Sequence, residues 1–122
     1  MINDFAEYEW HDAEIKGIYI NREAERVDDI VSMQIRWPEG SADQINFIHC
    51  YHAEFSLNFG VMGAESIRFA RIVFDDDNIK IIRKNWERLG VEMQELKCFE
   101  IETNSTNSLI RIYAMSVEFE RI

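Results

Sequence analysis

The sequence predicts an α+β domain spanning residues 1–122: a strongly bent antiparallel sheet of about six strands, or two packed sheets, with one helix packed on part of a face. Three observations predict it. Residues 45–59 alternate in character along their whole length, the period of a β-strand with one face in a core. A single stretch shows helical spacing instead, with Ile79, Ile82, Trp86 and Leu89 on one stripe and Lys80, Arg83, Lys84 and Glu87 on the other side. A chain of 122 residues, 47% hydrophobic and 12% aromatic, has room for one core, and its one proline and five glycines mark no domain boundary.

Taken in order, residues 2–9 read as a short turn or irregular arm that brings Phe5, Tyr8 and Trp10 to the core edge. The first strand follows over 10–20. Its apolar residues change phase, from Ala13 and Ile15 to Ile18 and Ile20, with Gly17 at the switch, the mark of a bulge. Residues 21–28 are charged and close a hairpin. Residues 29–37 alternate again, with Val31, Met33, Ile35 and Trp37 inward. Pro38, Glu39, Gly40 and Ser41 have turn chemistry and feed the 45–59 strand, so the first three strands form an antiparallel meander.

At roughly 3.3 Å per residue the 45–59 strand would run about 50 Å if straight, so a bend or bulge is expected in it. Its even face is apolar only early, at Ile48 and Cys50, and that patch is the expected seat of the helix. After a loop at 60–63, residues 66–74 form a strand with a bend between Ile67 and Phe69 and Ile72 and Phe74. Asp75, Asp76 and Asp77 end it and open the helix, where a carboxylate can cap free N–H groups and suit the positive end of the dipole. Gly90 stops the helix, which must lay Ile82 and Trp86 on the sheet. A strand over 96–103 carries Phe99 and Ile101 on one face and Leu96 and Cys98 on the other. The last, over 108–119, has Ile110, Ile112 and Ala114 opposite Tyr113, Met115, Val117 and Phe119. Being apolar on both faces, it belongs inside a sheet.

The formal net charge is −10, with a pI near 4.7. Such a balance repels nucleic acid and anionic lipid and favours encounter with basic proteins, although acidic residues also serve simply as solvating charges. An acidic N-terminal stretch with no apolar run after it predicts neither an export signal nor a membrane span. Two cysteines, Cys50 and Cys98, do not make a disulfide framework, which suits free thiols in the cytoplasm.

Three histidines raise catalytic and metal readings. His49 and His52 are three apart on a strand, so they point to opposite faces and share an ion only if a bulge intervenes. His11 and Asp12 resemble a catalytic pair, but neighbours on a strand diverge, and the plainer reading is a polar group that organises the start of the first strand by bonding backbone. Cys50 and Cys98 read as buried inert thiols. Asp75, Asp76, Asp77 and Asn78 lack the spacing of a calcium loop and are accounted for by the helix start. Asn104, Ser105 and Thr106 match a glycosylation acceptor only formally. The sequence has no glycine-rich phosphate loop, paired-cysteine metal spacing or nucleophile elbow, so no catalytic residue, metal or cofactor is expected.

The candidate functional surface is therefore acidic: Glu23, Glu25, Asp28 and Asp29 at one hairpin end, and Asp75, Asp76 and Asp77 at the helix start. If they converge, they form a negative face able to steer and hold a basic partner. Two other readings stand beside it. One is a small-ligand binder or enzyme with a pocket inside the bent sheet, using His49, Tyr51 or His11; the other is a homodimer paired through an exposed sheet face.

Trp10-His11-Asp12-Ala13-Glu14-Ile15, followed by Ile18 and Ile20, an alternating strand, a turn and Ile45-Asn46-Phe47, resembles the opening of small bacterial immunity proteins of polymorphic toxin systems. The resemblance covers the first half of the chain. It implies a non-enzymatic protein that binds and occludes a cognate toxin, often a basic nuclease, and it carries over no binding residue.

Overall fold

A computed structural model describes residues 2–22 and 29–122. Six strands, β1 (Glu14–Asn21), β2 (Ile30–Arg36), β3 (Ala42–Ser56), β4 (Glu65–Val73), β5 (Lys97–Thr103) and β6 (Leu109–Arg121), are joined by two helices, α1 (Ile2–Glu7) and α2 (Asp77–Glu87). The strands pair antiparallel in the order β1-β2-β3-β6-β5-β4, and the sheet closes on itself as a barrel. The predicted meander is β1-β2-β3, and β6 lies inside the sheet between β3 and β5.

Closure needs curvature, and bulges supply it. Register shifts fall between Ile15 and Gly17 in β1, Cys50 and His52 in β3, and Ile67 and Phe69 in β4. At Gly17 a Cβ would stand 2.6 Å from the Tyr19 hydroxyl, so the missing side chain leaves space for that ring to fold back over the strand. The closing seam is short. β1 and β4 pair only as Glu14 with Ser66 and Ile15 with Glu65, extended by the Ile67 N–H donating to Ala13 O at 2.7 Å.

Inside the barrel, Met33, Ile35, Ile45, Phe47, Ile67, Phe99, Ile101 and Ile112 form the core. The segment expected to be an irregular arm is instead the short helix α1, and its Phe5 is 0% exposed within that core. Trp10 Nε1 donates to Phe5 O, which ties the end of the helix to the start of the first strand. Burying one phenylalanine contributes about 1.5–3 kcal/mol toward ordering six residues that have little helical tendency alone.

A second cluster lies on the outer face of β5 and β6. Ile79 of α2 gathers there with Met93, Leu96, Cys98 and Tyr113, and with Tyr51, Ile82 and Met115 at its margin. The expected seat at Ile48 and Cys50 is corrected: Cys50 packs toward the barrel core and Tyr51 toward the helix. His49 has a left-handed backbone (φ 56°) and the register slips just after it, so strict alternation ends before Cys50. Val117 and Phe119 of β6 also lie inside with Ile110, Ile112 and Ala114, where an unbroken period of two would have put them outside. The helical stripe meets the sheet through Ile79 and Ile82 and through the Trp86 ring, which stands edge-on to Tyr51 with centres 5.2 Å apart, whereas Leu89, past the end of α2, is 70% exposed. Among the described residues, no helix is long and apolar enough to cross a membrane.

Candidate functional site

The His11-Asp12 segment lies in a turn ahead of β1 rather than on a strand. Trp10 and Ala13 are buried, whereas His11 and Asp12 face solvent. The turn closes with the Ala13 N–H donating to Trp10 O at 2.9 Å, and the Asp12 N–H reaches across the seam to Ile67 O at 2.9 Å. His11 Nδ1 lies 3.2 Å from Arg68 O, and its Nε2 is 3.7 Å from Asp12 Oδ2. The group latches β1 to β4 through backbone, and its Asp occupies the left-handed region at φ 70°.

His49 and His52 are both exposed on β3, with His52 Nε2 3.1 Å from Glu54 Oε2. Among the described residues, no group of three His, Cys, Asp or Glu can hold a metal ion. Burial pushes the thiols up, Cys50 to about 11 and Cys98 to about 12, so neither carries appreciable thiolate near neutrality.

Of the predicted acidic residues, Glu23, Glu25 and Asp28 lie outside the described residues. Asp29 is 48% exposed at the start of β2, and its carbonyl accepts from the Cys50 N–H. Asp76 is the N-cap of α2: its Oδ1 accepts from the Ile79 N–H at 2.7 Å and its Oδ2 from the Tyr113 hydroxyl at 2.9 Å. Asp75 is 65% exposed and Asp77 is exposed on the first turn. Glu54 of β3 lies against the helix start, and its Oε1 is 3.8 Å from Arg111 Nη1. Glu54 Oε2 accepts from Asn78 Nδ2, which also donates to Tyr113, and the His52 ring is 5.4 Å from Tyr113. The sequence reading missed Glu54, whose place opposite the helix start depends on pairing that no local pattern reports.

Two other carboxylates are buried and neutralised by arginines. Glu100, 3% exposed, accepts from Arg71 Nε and from Arg111 Nε at 2.5 and 2.7 Å. Burial raises its pKa, but those hydrogen bonds and the two positive charges outweigh it and hold the carboxyl below the usual range. Asp43 accepts from Trp37 Nε1 and Arg121 Nε.

A pocket of about 400 Å³ opens where β1 and β4 separate beyond their short seam. None of His11, His49 or Tyr51 lines it; they lie apart on other surfaces. Ile15, Ile18, Leu57, Phe59 and Ile110 give it apolar walls, and Glu65, Thr106 and Ser108 a polar end. Ser108 Oγ accepts from the Asn58 N–H, Thr106 Oγ1 stands 2.6 Å from Ser108 Oγ, and the Thr106 hydroxyl donates to Glu65 Oε2 at 2.5 Å. Each hydroxyl has one proton, so Ser108 must donate to Thr106. Glu65 Oε1 is buried and has no hydrogen-bond donor among the described residues.

Comparison with known protein families, with curated proteins and with solved structures finds no match to this chain.

Proposed function

We propose that this protein is a non-enzymatic binding domain that holds a basic protein partner on an acidic face. Asp29, Glu54, Asp75 and Asp77 form that face, and Asp76 orders it by capping α2. The observation that supports the reading is that Asp77 and Asp75, the latter 4.0 Å from Lys80, are exposed at the start of α2, while the Glu100 and Asp43 carboxylates are buried against arginines. Exposed, clustered carboxylates on a chain of net charge −10 accelerate encounter with a cationic surface and repel anionic ones.

The resemblance of the opening motif to immunity proteins makes a toxin domain the partner we favour, with occlusion rather than catalysis as the action. On this reading the Trp10–Ala13 turn serves to latch the barrel and does not touch the toxin. Chemical cross-linking in the source cell, followed by purification of this chain, tests the reading. The expected product is a stoichiometric complex with a basic protein, lost when Asp75→Lys and Asp77→Lys are combined; a complex that survives both reversals would refute it.

A further inference from the structure

We infer that the seam pocket is a binding site for a small amphipathic amine, an ammonium or guanidinium group carried on a compact apolar body. This does not rest on the acidic face, which is built from other residues. The volume, about 400 Å³, lies in the range of small-molecule sites, and a pocket with mostly apolar walls and a few convergent polar groups is the form such sites take.

Donor accounting selects the head group. The protons of Ser108 and Thr106 are committed along their chain to Glu65 Oε2, and Ser105 Oγ donates to Ala64 O at 2.9 Å. Glu65 Oε1 therefore needs a donor from elsewhere, and a buried carboxylate oxygen without one is unfavourable. Lys16, the cation that lines the pocket, is held by Glu14 at 2.8 Å. A ligand cation at the polar end supplies the missing donor and the missing charge; Oε1 is closed to solvent, so the carboxyl turns to meet the cation and the Thr106 hydroxyl shifts its bond with it. Phe59, 84% exposed on the loop that borders the pocket, and Leu57 offer apolar surface to the body of the ligand.

The test uses the full chain and three probes of one shape: 2-phenylethylammonium, 2-phenylethanol and 3-phenylpropionate, followed by amide chemical shifts and calorimetry. The cation should bind at least tenfold more tightly than the alcohol, the anion should not bind, and the shifts should centre on Gly17, Gly60 and Gly63. Glu65→Gln should bring the cation to within about twofold of the alcohol, while Asp75→Asn with Asp77→Asn should leave it unchanged. Equal binding of cation and alcohol, or shifts centred on α2, would overturn the assignment. So would a lysine-bearing extended peptide that binds more tightly than the free amine. The shift map of the unaltered chain decides the matter even if Glu65→Gln fails to fold.

Discussion

The ring of Phe5 in α1 meets the ring of Phe99 in β5 edge-on, with centres 5.1 Å apart. This contact joins the first helix to the middle of the barrel, and Phe47 adds a second edge at 6.4 Å. Phe5→Ala should therefore cost about 3–5 kcal/mol, the range for emptying a buried aromatic site. Urea unfolding followed by tryptophan fluorescence measures it, and a loss under about 1 kcal/mol would mean the core closes without α1.

Glu100 sits between Arg71 and Arg111 on the outer face of the barrel. Glu100→Gln should cost about 1–3 kcal/mol, because the charge-assisted bonds weaken while both arginines can still reach water. The sign of the pH effect follows from the carboxyl being held below its ordinary 4.5. Folding strengthens its ionised form, so this stability is fully present above the unfolded value and is lost as pH falls through the lower folded one. Thermal melts from pH 6 to pH 3 should fall more steeply for the native chain than for Glu100→Gln; parallel curves would contradict the assignment.

Asp12 lies at φ 70° in the latch turn, a conformation that disfavours most side chains. Asp12→Gly should change stability by less than about 1 kcal/mol in either direction, whereas Asp12→Val should cost roughly 1–2 kcal/mol. Melting temperatures of the two variants provide the comparison, and equal values would show that the turn carries no backbone constraint.

Both thiols should resist modification in the folded protein. With Cys98 buried and Cys50 half-buried, and their thiols pushed up to about 12 and about 11, Ellman's reagent at pH 8 should react over hours when native and within seconds in urea. Rapid native labelling of Cys98 would show that the second cluster opens readily.

Local pattern made much of this fold readable. Val31, Met33, Ile35 and Trp37 alternate inward as their sequence implies, and the phase switch at Gly17 is a real register shift. Asp76 caps α2 because a short acceptor precedes a helical stripe. What escaped is non-local. Phe5 belongs to the core only because the barrel offers it a place, and Cys50 changed faces because His49 takes a left-handed turn that its own type does not announce. The seam pocket was equally hidden: Glu65 and Thr106 meet across 41 residues, and neither belongs to a recognisable motif.

The central claim is that a cationic partner is held by the carboxylates around the start of α2. It is tested most directly by measuring the affinity of the cross-linked partner for the native chain and for Asp75→Lys with Asp77→Lys, at low and at physiological salt. The account predicts an affinity at least tenfold weaker for the doubly reversed chain at low salt, with the difference shrinking as salt screens the face. Equal affinities for the two chains, unmoved by salt, would contradict it.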